Sequence, residues 1–174
     1  MVFIRRAGHV DAAAIAHVQV ESWLTTYTGI VPGAYLETMN EAARAKAWEP
    51  LIEASEIFLA EQNGHVVGFI TGGPIREPVE ECDAELYAIY LLQEAQRAQI
   101  GTDLLRELAR TLRRKGFRSM SVWVLAKNPS KPFYMRTGAH YAASKNIEIG
   151  GAMLVEEAYV WPDLEQIAFP AKSA

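Results

Sequence analysis

Hydrophobic and polar positions follow two different periods along this chain, and the places where the period changes mark its elements. From Leu86 to Leu92 apolar residues run without a break, too short for a membrane span and suited to a strand buried on both faces. Gln93 to Gln99 are polar or small and contain no proline or glycine, which predicts a tight connection. Then Ile100, Leu104, Leu105, Leu108 and Leu112 recur on one helical face, with Asp103, Arg106, Glu107, Arg110 and Arg113 largely on the other, an amphipathic helix of about four turns. Asp103 and Glu107 toward its start and Arg113, Arg114 and Lys115 at its end match the helix dipole, and Gly116 supplies a left-handed cap. Strand, polar turn and helix N-terminus in that order present unpaired amides and a partial positive charge, which together bind phosphate. Gly101 lets a ligand approach that backbone closely.

The same reading extends in both directions. Val2 to Arg5 form a first strand, Gly8 a turn, and Asp11 caps an alanine-rich helix carrying Ile15, Val18, Trp23 and Leu24. Gly29 and Pro32 break that helix directly beside Trp23 and Tyr27, which either overhang a site or pack the helix onto the sheet. A helical stretch follows from Tyr35 to Ala54, bent or interrupted at Pro50. Asn63 and Gly64 join strands at Ile57 to Ala60 and His65 to Gly72 in a hairpin. An acidic surface loop with Glu77, Glu80, Glu81 and Asp83 leads to the Leu86 strand. Beyond Gly116, Ser119 to Leu125 should run parallel to that strand across a right-handed crossover, with Trp123 in the core. Ser130 opens a short helix with Pro132 in its first turn, ended by Gly138. Strands from Tyr141 to Ile149 and Met153 to Trp161 meet at Gly150 and Gly151, and from about residue 162 periodicity is lost. The fold class is therefore α/β: one domain over 1–174, a mixed, mostly antiparallel sheet with a parallel central pair and helices on both faces.

Composition narrows the function classes. A chain of 174 residues with a net charge of −4 lacks the general basic field of a nucleic-acid binder. The lone Cys82 cannot form an internal disulfide, and no spaced Cys/His set suggests a metal. His9 and His17 read as surface or cap residues. Neither a signal peptide nor a membrane-length apolar run is visible, so the expectation is a cytoplasmic protein without metal, membrane or nucleic-acid partners.

The run Glu85, Leu86, Tyr87, Ala88, Ile89, Tyr90, Leu91 followed by Gln96, Arg97, Ala98, Gln99, Ile100, Gly101 resembles motif A of the GCN5-related N-acetyltransferases, whose phosphate turn reads Q/R-x-x-G-x-G/A. Gln96 and Gly101 match; Gln99 replaces the first glycine, and Gln93 a common proline. A side chain at residue 99 calls for negative φ there. A second motif of the family, N-x-x-A-x-x-F-Y-x-x-x-G, resembles Asn128 through Phe133, Tyr134 and Gly138, with one residue fewer after Asn128. The resemblance covers nearly the whole chain and implies an acetyl-CoA-dependent N-acetyltransferase without metal. The Trp23 to Pro32 loop is similar to one in bacterial acetyltransferases of polyamines and other small amines.

The resemblance also assigns roles. Main-chain groups of Ile89, Tyr90 and Leu91, with Asn128 and Phe133, would hold the pantetheine arm, and the backbone of Gln96, Arg97, Ala98, Gln99, Ile100, Gly101 and Thr102 the pyrophosphate. Arg97 could reach the 3′-phosphate. Tyr134 is the candidate general acid: a phenol of pKa about 10 keeps its proton at neutral pH and can give it to a thiolate whose acid has pKa about 8.5. Glu85 is the candidate base for the incoming amine, with Asp83 or Glu81 as substitutes, and Trp23 and Tyr27 would face the acceptor. The acceptor is expected to be a small-molecule or peptide amine, and a homodimer contact could use the last two strands. Two other readings stay open: a non-catalytic acyl-CoA-binding module, and an acetyltransferase of aminoacyl-tRNA.

Overall fold

The computed structural model describes residues 1–169; the last part of the tail, 170–174, lies outside the described residues. Seven strands form one sheet in the order β1-β2-β3-β4-β5-β7-β6. They are β1 (Val2–Arg6), β2 (Glu56–Gln62), β3 (His65–Pro74), β4 (Ala84–Leu91), β5 (Met120–Leu125), β6 (His140–Ile149) and β7 (Ala152–Trp161). All neighbours are antiparallel except β4 and β5. Positive φ at Asn63 and Gly64, and again at Gly150 and Gly151, gives both hairpins turns whose twist suits right-twisted strands.

Helices α1 (Ala12–Tyr27), α2 (Gly33–Leu36) and α3 (Glu41–Ala54) occupy the first third of the chain. α1 and α3 cover one face of β2 to β4, where Ile15, Val18, Ile52, Leu59 and Phe69 close a core. The expected single helix from Tyr35 to Ala54 is two: Asn40 leaves helical geometry and its side chain accepts from the Ala43 amide, starting α3 afresh. α3 then runs through Pro50 without stopping. Asp11 does not cap α1. Its carboxylate accepts from the Gly8 amide at 2.8 Å and from two nitrogens of Arg5, and the Arg5 bonds hold it below the ordinary carboxylate range.

The opposite face belongs to α4 (Ile100–Arg114) and the short α5 (Lys131–Arg136). Leu104, Leu105, Leu108 and Leu112 are fully buried where α4 packs over β1 to β4; each contributes about 1.5–3 kcal/mol of transfer free energy. The outward arginines bond their own surroundings: Arg106 to Asp103, Arg110 to Glu107, Arg113 to Glu165. Gly116 ends α4 at φ 95°. No helix among the described residues is long and apolar enough to cross a membrane.

Candidate active site

The site begins as a defect in strand pairing. β4 meets β5 only through Ala84, Glu85 and Leu86, and β3 pairs Thr71 with Ala88 but Gly72 with Leu86, leaving Tyr87 as an extra, bulged residue. A bulge bends its strand and reverses which side chains face which way. Past it β4 leaves β5, which continues against β7 as far as Leu125. The split opens into a cavity of about 1080 Å³.

On the α4 face, the turn before the helix is built from backbone. Gln99 stands at φ 60° and Arg97 at φ 63°, which corrects the expectation of negative φ at residue 99. Left-handed backbone costs a residue with a side chain about 1–2 kcal/mol. What the turn gains is orientation, since residues alternating into that region aim successive amides to one side. No side chain caps α4. The amides of Ile100, Gly101 and Thr102 therefore keep the unpaired donors of a helix start, and Ile100, Gly101 and Thr102 line the cavity. That is the donor set an anionic diphosphate requires. Packing does not demand the glycine at 101, because a Cβ there would meet Leu91 Cδ1 at 3.4 Å and the Phe133 ring at 3.6 Å, ordinary van der Waals contact.

Tyr134 projects from α5 into the split. It is 5% exposed, its ring 5.6 Å from Phe133 and 5.8 Å from Trp161. Burial, reinforced by the nearby phenols of Tyr27 and Tyr90, pushes its pKa well above the ordinary phenol value. Its hydroxyl bonds to no other described residue, and the side chain lines the cavity.

The other face gathers side chains from distant segments. Asn128 Nδ2 donates to the Tyr27 hydroxyl at 3.0 Å while its Oδ1 accepts from the Ser130 amide at 2.8 Å. Trp23 Nε1 donates to the Tyr90 hydroxyl at 3.0 Å, and its ring lies 4.6 Å from that of Tyr27. Ser22 donates to the Leu91 carbonyl at 3.1 Å. The end of α1 is thus bonded to β4 and to the loop after β5. Trp23, Tyr27, Tyr90, Asn128, Phe133 and Tyr134 share one cavity wall with Ile89, Leu91, Gln96, Arg97 and Gln99.

Two predicted residues are not on that wall. Ala98 turns its methyl to solvent. Glu85 is the larger correction. It lies before the bulge, 4% exposed, and Arg76 occupies both its oxygens, through the amide at 2.9 Å and the guanidinium at 2.6 Å. It is held by the loop that covers it and does not reach the cavity. Its substitutes are no closer: Asp83 accepts from the Arg118 and Ser119 amides, and neither Asp83 nor Glu81 lines the cavity. Cys82 in the same loop is pushed up by burial to about 11, so its thiol stays protonated.

Sequence reasoning missed Glu156, the one carboxylate residue lining the cavity among the described residues, together with Ile147 and Ile149. Lys145, Ile147 and Ile149 share a face through strict alternation in β6, and Lys145 lies opposite Glu156 in β7. The alternation is visible in the sequence; that the face meets α1 is not. Trp123 corrects the expectation of a core residue: it is half-buried, lines the cavity, and has the Lys145 ammonium 4.2 Å from its ring centre.

Comparison with known proteins follows the same outline. Residues 18–139 match the family model described as "Acetyltransferase (GNAT) family". The chain is 41% identical over 167 residues to the uncharacterized N-acetyltransferase YuaI of Bacillus subtilis (strain 168), covering 96% of both chains. It is 27% identical over 143 residues to a spermidine N(1)-acetyltransferase of Thermoplasma acidophilum, covering 78% of this chain and 86% of that one. Among solved structures, the PaiA N-acetyltransferase of Thermoplasma acidophilum in complex with coenzyme A superposes with a TM-score of 0.72 at 25% identity, over 90% of this chain and 98% of that one.

Proposed function

The chain belongs to the GNAT family of acetyltransferases, and from that premise we propose that it moves an acetyl group from acetyl-CoA to a primary amine by direct transfer in a ternary complex. The observation that carries this reading is Tyr134, a buried phenol whose hydroxyl has no hydrogen-bond partner among the described residues, in a cavity that also receives the uncapped N-terminus of α4. The diphosphate of the donor fits the amides of residues 97–102, and its amide arm fits the unpaired edge of β4 around Ile89, Tyr90 and Leu91, with Asn128 and Phe133 alongside. The Thermoplasma PaiA structure, in complex with coenzyme A, supports the choice of donor.

Acetyl-CoA supplies a thioester, whose acyl carbon is open to an uncharged amine. The amine nitrogen forms the C–N bond while the C–S bond breaks. Tyr134 gives its hydroxyl proton to the departing sulfur and is reprotonated by the proton that the amine sheds. Trp23 and Tyr27 wall the approach of the acceptor, and the split between the strands fixes its direction. With Glu85 bound to Arg76, the amine's first proton, that of its ammonium form, leaves through water or toward Glu156.

The arginines that could recommend a tRNA acceptor gather at the far end of α4, about 20 Å from its start by the helix rise, and Arg113 is bound to Glu165. A cysteine-acetyl route has no support either, since Cys82 lies outside the cavity with its thiol protonated. The test is release of free thiol from acetyl-CoA in the presence of a panel of primary amines, with mass spectrometry of the products. Amine-dependent release with a product heavier by one acetyl group is expected; tight acetyl-CoA binding without release would leave only a binding module.

A further inference from the structure

The acceptor face of the cavity also limits what the acceptor can be. Register places Glu156 directly opposite Leu125 of β5 on one side and Lys145 of β6 on the other. Lys145 bonds Glu77 and lies 3.4 Å from Glu156, so two carboxylates share one ammonium and the row keeps a single negative charge. Around it the wall is apolar or aromatic: Trp23, Tyr27, Trp123, Ile147 and Ile149. Of the other acids nearby, Glu80 is engaged with His140 and Glu85 with Arg76. Even here a cation sits on an aromatic face, the Lys145 ammonium over Trp123, the geometry by which aromatic rings hold amines.

Resting on the acetyl-transfer reading above, we propose that the acceptor is a primary amine with one positive charge on an aromatic or bulky apolar body, an arylalkylamine rather than a polyamine, and that Glu156 is the specificity residue that draws its ammonium into the cavity. A single charge closes the row Glu77, Lys145 and Glu156. A second or third ammonium would have to sit against Trp23, Ile147 or Ile149, a desolvated charge left unpaired. The apolar body replaces water on the Trp23 and Trp123 rings, which otherwise stand partly exposed.

Thiol release from acetyl-CoA by the intact protein should be compared for 2-phenylethylamine, spermidine and lysine amide. The expected result is a kcat/KM for 2-phenylethylamine at least tenfold above that for spermidine. Glu156→Gln should raise the 2-phenylethylamine KM by tenfold or more with acetyl-CoA affinity within twofold of the parent. Lys145→Met leaves two unshared carboxylates, so it should shift the ratio several-fold toward spermidine, a change in preference that loss of folding alone does not produce. If spermidine is the equal or better substrate, or if Glu156→Gln leaves the amine KM unchanged, acetyl transfer stands and this acceptor class falls. If acetyl-CoA binds but no amine releases thiol, both fall.

Discussion

On the α4 face of the split, the groups that would hold the donor's diphosphate come from the consecutive positions 96–102, and they act through the main chain. On the other face, Trp23, Tyr27, Trp123, Ile147 and Glu156 arrive from four separate segments, and they act through side chains. The first arrangement is fixed by a turn and a helix start whatever the side chains are, provided α4 is anchored by its leucines. The second depends on α1, β5 and the β6–β7 hairpin docking in one particular way, so a change in any of them alters it. A family can therefore keep its donor and change its acceptor.

Breaking the seam between the two faces should have the largest effect. Tyr134→Phe removes the proton donor and no hydrogen bond to a described residue; kcat should fall by about 10²–10⁴, with the thermal midpoint unchanged. An unaltered kcat in steady-state thiol release would remove Tyr134 from the chemistry.

Next comes the anchoring of the two faces, compared by equivalent truncations. Leu104→Ala, at a fully buried site under the donor turn, should cost about 2–5 kcal/mol in urea unfolding. Ile147→Ala, at a half-buried site on the acceptor wall, should cost less than half as much yet raise the amine KM. Equal losses would show that the acceptor face is as deeply packed as the donor face.

Tyr27→Phe takes away the acceptor of the Asn128 Nδ2 bond that ties the end of α1 to the loop after β5, and about 1 kcal/mol of stability should go with it. Both KM values should rise together, whereas a rise for the amine alone would confine Tyr27 to the acceptor side. Gln99→Gly should have the smallest effect. It relieves left-handed backbone worth about 1–2 kcal/mol but adds chain entropy of about 0.5–1 kcal/mol to the unfolded state. The outcome is a rise in thermal midpoint of a degree or more with coenzyme A affinity maintained; a fall would mean that the Gln99 side chain itself holds the turn.

Much of this molecule is legible in local periodicity, because strand alternation, helix faces and turn residues answer to neighbours a few positions away. The Leu86 strand, the leucine face of α4, the Asn63-Gly64 and Gly150-Gly151 turns and the crossover to β5 all follow from such patterns. Even the turn before α4 could be placed, since a helix N-terminus after a strand needs no distant partner to present its amides. Its left-handed Gln99 could not, because a residue adopts that backbone only when the surrounding structure compels it. Nor did the sequence reveal that Glu85 would be bound by Arg76, that Trp123 would line a cavity, or that Glu156 would be the carboxylate on its wall. Those outcomes turn on one extra residue, the Tyr87 bulge, and on how β6 and β7 meet the end of α1. The sequence by itself determined the strand, the turn and the uncapped helix start, through local backbone chemistry; only the packing of remote segments decided which side chains line the opposite wall of the cavity.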